Sequence, residues 1–91
     1  MQLTEEQLQE QIGKLEGWKL ERDRLVRKYM FSEYMKGIAF VDEVAAISEA
    51  FEHHPHITID YKTVVLRLAA DVEKLDLRQA HEFNEAFEKT R

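Results

Sequence analysis

The feature that most restricts the fold is a change of hydrophobic period at Pro55, the single proline of the 91-residue chain. Before it, from Ser32 to about Glu52, apolar residues recur at the three- and four-residue intervals of an α-helix. After it, in "HITIDY" and "TVVLRLA", apolar and polar residues alternate as they do in β-strands. Proline cannot continue a helix and pushes the preceding residue toward extended conformations. The sequence therefore predicts a helix that ends near His53, followed by two strands.

The predicted central helix starts at Ser32, because a serine side chain is a favourable N-cap. It would be about 30 Å long at a rise of 1.5 Å per residue. Its apolar stripe is broad enough to cover one side of a core. The stripe consists of Ile38, Val41, Val44, Ala45, Ile47 and Phe51.

Two shorter patterns precede this helix. Thr4 and Gln7 have the spacing of a capping box, and they precede apolar residues at helical intervals, which predicts a short first helix. These apolar residues are Leu8, Ile12 and Leu15. The next stretch, "GWKLERDRLVRKYMF", alternates apolar with charged residues and offers a tight connection at "RD". It predicts a β-hairpin.

After Pro55 in the sequence, the two predicted strands each place their apolar residues on one face, and a final helix follows. The strand residues are Ile57 and Ile59, then Val64, Leu66 and Leu68. Asp76 and Gln79 repeat a capping-box spacing, which predicts the start of the last helix. Its apolar positions are Leu77, Ala80, Phe83 or Asn84, and Phe87. The predicted order is α-β-β-α-β-β-α, an α+β domain over residues 1–91 whose antiparallel four-stranded sheet has helices packed on one face.

Charge and composition exclude several functions. Thirteen basic and eighteen acidic residues give a net charge of −5, which opposes non-specific binding to nucleic acids and anionic lipids. The most basic stretch, "ERDRLVRKYM", would divide its charges between two strand faces, and we interpret them as solvated. The chain has no cysteine, no signal-peptide pattern and no apolar run of about 20 residues. We expect a cytoplasmic protein that binds neither nucleic acid nor membrane.

Three histidines surround Pro55, where the central helix is predicted to end. Glu49 precedes His53 by four residues, so the two would share a helix face. The partial negative charge of a helix C-terminus and the nearby carboxylates would favour protonated His53. Adjacent imidazoles at His53 and His54, with carboxylates nearby and no cysteine or activated serine, indicate proton-transfer chemistry.

Two other interpretations of the histidines stay open. Histidine side chains near a helix C-terminus are favourable caps without any catalytic role. His53, His54, His56 and Glu49 are also potential metal ligands, although adjacent residues restricted by a proline chelate less well than His-x-x-x-His on a helix. His81, on the last helix, is predicted to be a surface residue.

The chain resembles the pterin-4a-carbinolamine dehydratase family. That family's signature is a glutamate, three residues, and then His-His-Pro at the end of the long helix. Here it reads Glu49, Ala50, Phe51, Glu52, His53, His54, Pro55. Similar framework positions are Gly17, Trp18, Phe31, Phe40, Val41, Tyr61 and the "VVLRL" strand.

The resemblance implies dehydration of 4a-hydroxytetrahydropterin to quinonoid dihydropterin, which recycles the cofactor of aromatic amino-acid hydroxylases. It implies no metal or redox cofactor, and a homodimer or homotetramer. His53 and His54 would share the acid and base roles, without an assignment of either role to either residue. The residues bordering the pterin would be Glu49, Glu52, Pro55 and Asp71.

This chain also departs from the family pattern. Asp71 stands where well-known members have a third active-site histidine. It would accept hydrogen bonds from the pterin or stabilise a protonated histidine, or else it merely begins a turn. "EKLDLRQ" lacks the family's glycine, has Asp76 in place of Ser/Thr, and has Gln79 in place of an aspartate. The alternative function is a non-catalytic module, since family members also serve as dimerisation partners of a transcription factor and as assembly factors of a carbon-fixing enzyme.

Overall fold

The computed structural model describes residues 4–22, 24–68 and 74–91. The predicted order of helices and strands and the α+β class are confirmed. In chain order the elements are α1 (Glu5–Gly13), β1 (Lys19–Glu21), β2 (Arg24–Met30), α2 (Tyr34–Phe51), β3 (His56–Asp60), β4 (Thr63–Leu68) and α3 (Lys74–Thr90). Among these, no helix is both long and apolar enough to cross a membrane.

The strands form one antiparallel sheet in the order β1-β2-β4-β3. Alternation along β4 separates its two faces: Val64, Leu66 and Leu68 are fully buried, whereas Val65 and Arg67 are half-buried on the opposite face. The buried face meets the helices, as predicted. Burial of each large apolar side chain in this core contributes about 1.5–3 kcal/mol.

The capping box predicted for α1 is confirmed, whereas the predicted N-cap of α2 is wrong. In α1, the Gln7 amide donates to Thr4 Oγ1 (3.2 Å) and the Thr4 amide donates to Gln7 Oε1 (3.1 Å). The N-cap of α2 is Glu33, not Ser32, and it makes no side-chain capping bond. The Phe31 amide donates to the Lys62 carbonyl (2.9 Å), which ties the end of the hairpin to the β3–β4 turn. Glu33 is extended (φ −140°, ψ 145°), and the helix begins at Tyr34.

The buried side of α2 also differs from the predicted stripe. Its fully buried residues are Gly37, Phe40, Val44 and Ser48. Ala45 is exposed, and the rest of the predicted stripe is half-buried apart from Val44. A Cβ on Gly37 would lie 3.4 Å from the Phe31 ring and 3.6 Å from Val64. The helix therefore approaches the sheet closely at Gly37, which a stripe of hydrophobic residues alone does not reveal.

The start of α3 corrects a second capping prediction. Because the helix begins at Lys74, Asp76 lies within it and is not its N-cap. Gln79 accordingly does not complete a capping box, and its side chain bonds to another part of the chain. The predicted apolar positions of α3 are buried, as expected. They are Leu77, Ala80, Phe83 and Phe87.

Arg27 is half-buried, so the interpretation of its charge as solvated is wrong. Its guanidinium lies over the rings of Tyr29 (4.2 Å) and Phe87 (5.2 Å). Its Nη1 donates to the Glu16 carbonyl (2.5 Å). Gly17 makes room for this side chain, because a Cβ there would lie 2.5 Å from Arg27 Nε and its φ of +82° also favours glycine.

Asn84 of α3 collects the polar groups around Arg27. Its Oδ1 accepts hydrogen bonds from Trp18 Nε1 (2.8 Å), Arg27 Nη1 (2.8 Å) and the Tyr29 hydroxyl (2.6 Å). Its Nδ2 donates to the Glu16 carbonyl (3.2 Å). Burial raises the pKa of the Tyr29 hydroxyl well above its usual range, against the opposing effect of the Arg27 charge. We call Trp18, Arg27, Tyr29 and Asn84 the Asn84 cluster.

Candidate active site

All three histidines around Pro55 lie beyond the C-terminus of α2, as predicted for His54 and His56 but not for His53. The helix ends at Phe51, and Glu52 adopts the left-handed conformation (φ 53°, ψ 36°). The Glu52 amide donates to the Glu49 carbonyl (3.3 Å), and the His53 amide donates to the Ser48 carbonyl (3.1 Å). Such bonds satisfy the last carbonyls of a helix and turn the chain away from its axis. The helix is thus closed two residues before Pro55.

Glu49 is paired with His54, whereas helical spacing predicted that it would lie beside His53. His54 Nε2 lies 2.5 Å from Glu49 Oε2, a hydrogen bond between a side chain that is 60% exposed and one that is 77% exposed. The four-residue spacing failed because His53 lies outside the helix, after the left-handed Glu52. His53 is half-buried, and His56 is an exposed residue at the start of β3.

The bond to Glu49 determines which nitrogen of His54 can exchange a proton with a ligand. In neutral His54, Nε2–H donates to the carboxylate and the Nδ1 lone pair accepts. In protonated His54, Nδ1 carries a hydrogen and becomes a donor. The carboxylate therefore favours one tautomer and leaves Nδ1 to take or give the proton.

Gln79 contacts this segment, although the sequence indicated it only as a capping residue and as a departure from the family pattern. Its Nε2 donates to the His53 carbonyl (2.6 Å) from a side chain that is fully buried. The available signal was its position: Gln79 stands four residues before the buried Phe83, on the apolar side of α3. A polar residue within such a stripe indicates a specific partner.

The other predicted site residues have different placements. Glu52 is exposed and Pro55 is half-buried, both within the segment that carries the histidines. Asp71 lies outside the described residues. Within residues 4–22, 24–68 and 74–91, no group of three or more histidines, aspartates and glutamates is arranged to hold a metal ion. His81 is exposed, as predicted, and its Nε2 lies 3.3 Å from Glu85 Oε1.

Sequence comparison identifies relatives along nearly the whole chain. Residues 1–86 match the sequence pattern of the family described as pterin 4 alpha carbinolamine dehydratase. A relative from Prochlorococcus marinus (strain MIT 9515) is 33% identical, over 96% of this chain and 95% of its own length. A relative from Koribacter versatilis (strain Ellin345) is 37% identical, over 91% of this chain and 93% of its own length. Both are named pterin-4-alpha-carbinolamine dehydratases on a provisional basis.

Two solved structures share the fold. A transcriptional coactivator/pterin dehydratase from Brucella melitensis superposes with a TM-score of 0.89 and 27% identity, over 94% of this chain and 98% of the other. A pterin dehydratase-like protein, identified as a RuBisCO assembly factor in the α-carboxysome, superposes with a TM-score of 0.68 and 25% sequence identity. The match covers 77% of this chain and 86% of the other.

Proposed function

The chain belongs to the pterin 4 alpha carbinolamine dehydratase family, and from that premise we propose that it dehydrates 4a-hydroxytetrahydropterin to quinonoid dihydropterin. Membership supports a pterin dehydratase-like function, and the catalytic residues are part of the proposal. The observation that carries it is the pair of adjacent imidazoles, His53 and His54, beyond the end of α2, with Glu49 bonded to His54. This reaction would serve tetrahydropterin recycling.

The reaction requires one proton donor and one proton acceptor. The C4a–O bond breaks as a proton reaches the leaving hydroxyl, the N5–H proton is removed, and a C4a=N5 double bond forms with release of water. No electrons pass to or from a second reactant. His53 and His54 share these two roles, and His54 acts through Nδ1 because Glu49 occupies Nε2. One proton is given for each one taken, so the pair keeps its number of protons, and the proton on the base must return to the acid, directly or through water, before the next turnover.

The pterin would lie against the residues around the two histidines. We propose Glu49, Glu52 and Pro55 at its border, together with Asp71 from the segment before α3. Carboxylates accept hydrogen bonds from N–H groups, and the pterin ring system carries several of these along its polar edge. Glu49 and Glu52 are both exposed, so a ligand can reach them without unfolding any element.

The direct test is the decay of synthetic 4a-hydroxytetrahydropterin, followed by absorbance with and without the purified protein. We expect the protein to accelerate the decay, and to do so equally after treatment with a chelator. Decay at the buffer rate with folded protein would contradict the proposal. Activity that is lost on chelation and restored by zinc would support the metal-binding interpretation instead.

A second candidate function is a non-catalytic interaction module. The large hydrophobic residues that are exposed in the described part of the chain lie around the start of α2, the end of β2 and the β3–β4 turn. They lie at the opposite end of the sheet from His56, which pairs with Arg67. They are Met30, Tyr34, Met35, Ile59 and Tyr61. Exposed apolar patches of this kind mark interaction sites. The similar coactivator and RuBisCO assembly factor structures support this candidate.

Self-association is part of both candidates. A small domain gains burial by oligomerisation, and we propose a homodimer or homotetramer. Sedimentation at micromolar concentration should give at least twice the 10.8 kDa mass of the chain. A monomer that still dehydrates the pterin would show that assembly is not required. A folded oligomer without dehydratase activity would favour the interaction module.

A further inference from the structure

The amide of Gln79 ties α3 to the segment that carries the two histidines. Gln79 Nε2 donates to the His53 carbonyl at 2.6 Å, across 26 residues of sequence. The His53 amide on the other side donates to the Ser48 carbonyl of α2 (3.1 Å). Both main-chain polar groups of His53 are therefore bonded, one to each of two packed helices.

This bond orients the link between the two proposed catalytic residues. The His53 carbonyl belongs to the peptide group that joins His53 to His54, and a peptide group is planar. A donor held against that oxygen sets the direction of the plane, and with it the Cα positions from which both imidazoles extend. At the far end of the pair, the ring of His54 is held by Glu49.

Stability alone does not explain an amide at this position. Gln79 is fully buried, and its Oε1 has no hydrogen-bond partner in the described part of the chain. A buried acceptor without a partner is unfavourable, and an apolar side chain of similar size would avoid that cost. Among the described residues, what glutamine provides and leucine does not is the bond to the His53 carbonyl.

We propose that Gln79 is a positioning residue that holds the peptide plane between His53 and His54. The inference rests on the proposed dehydratase function. In this role Gln79 acts through the main chain. Small displacements of catalytic groups cost up to about 100-fold in rate, so loss of the bond should lower kcat by about 10- to 100-fold, with a smaller change in KM.

The main test is Gln79→Leu, which keeps the approximate volume and removes the donor. We expect the kcat loss, a melting temperature within about 5 °C of wild type, and altered NMR signals of the His53 and His54 amides and the His54 ring. Gln9→Leu makes the same exchange at an exposed position of α1 and should change none of these. Wild-type kcat together with unchanged His54 signals in folded Gln79→Leu would overturn the proposal.

Gln79→Glu supplies a second, independent readout. A buried carboxyl group favours its neutral form, which has an O–H that can donate to the His53 carbonyl, whereas the ionised form can only accept. Its kcat, relative to that of Gln79→Leu, should therefore rise as the pH falls from about 9 to about 6. If the ratio of the kcat of Gln79→Glu to that of Gln79→Leu does not change with pH, this would count against positioning through the bond to His53.

The two proposals fail in different ways. If wild-type protein does not accelerate the dehydration, the proposed function fails. The NMR signals of His53 and His54 then still decide whether Gln79 orients the segment. If wild type is active and Gln79→Leu matches it in both kcat and spectra, the function stands and the role of Gln79 fails. Should Gln79→Leu not fold, the pH dependence of Gln79→Glu decides.

Discussion

In the Asn84 cluster and in the histidine segment, residues 52–56, distant parts of the chain meet through polar groups, and the two regions are built differently. In the cluster, one oxygen accepts three hydrogen bonds among packed aromatic rings. In the segment, the main chain is held by the Ser48 carbonyl and the Gln79 amide, and the His54 ring by an exposed glutamate.

The difference separates stability from chemistry. Buried donors that share one acceptor are costly to disturb, because loss of that acceptor leaves them unsatisfied. Exposed side chains such as His54 and Glu49 contribute little to folding, since water replaces their bonds. Substitutions in the cluster should therefore reduce stability, and substitutions in the segment should reduce activity without unfolding the protein.

The largest effect is expected from the histidines themselves. His53→Ala and His54→Ala should each lower the dehydration rate by about 10²- to 10⁴-fold, the usual cost of removing a positioned acid or base. Circular dichroism should show folded protein in both cases. His56→Ala, the adjacent exposed histidine, is the matched control and should stay near wild type. Equal activity in all three variants would remove the histidine pair from the mechanism.

Asn84→Ala tests the other side of the comparison. It removes the acceptor shared by Trp18, Arg27 and Tyr29, and we expect a loss of about 3 kcal/mol in unfolding free energy, measured by urea denaturation. The rate per folded molecule should not change. Asn84→Asp keeps an acceptor oxygen beside Arg27 and should cost much less. If the alanine and aspartate variants are equally stable, the three bonds do not support the fold.

Glu49→Ala should lower the dehydration rate by about tenfold, because His54 loses the partner that favours one tautomer and one ring orientation. Its melting temperature should not change, since the pair is exposed. Asp42→Ala, an exposed carboxylate elsewhere on α2, is the control. A loss of stability without a loss of rate would reverse the roles assigned to the two regions.

The smallest effect concerns alkaline pH. The pKa of Tyr29 is raised in the folded state by burial, so above about pH 10 the unfolded chain releases this proton while the folded protein keeps it. The stability due to Tyr29 is complete below that pH and is lost as the pH rises further. Tyr29→Phe should therefore lose less stability than wild type between about pH 9 and 11 in thermal melts. Parallel curves would contradict the pKa shift.

Much of the fold could be predicted because its signals are local. The period change at Pro55, the Thr4–Gln7 capping box and the alternation of β4 each depend on neighbouring residues. The errors occurred where distant contacts decide. Phe31 is bonded to Lys62 immediately before α2, and Gly37 lets that helix approach Val64 of the sheet. Spacing rules contain no information about either contact.

The sequence by itself determined the element order, the fold class, the family and the positions of His53 and His54, because proline chemistry, hydrophobic period and a seven-residue signature are all written within short stretches. Only the tertiary structure decided that Glu49 pairs with His54, that Arg27 lies among aromatic rings and that Gln79 bonds to His53. The left-handed turn at Glu52 ends the helical spacing on which a pairing of Glu49 with His53 was predicted. The other two contacts join residues brought together only when the sheet and helices pack around a common core.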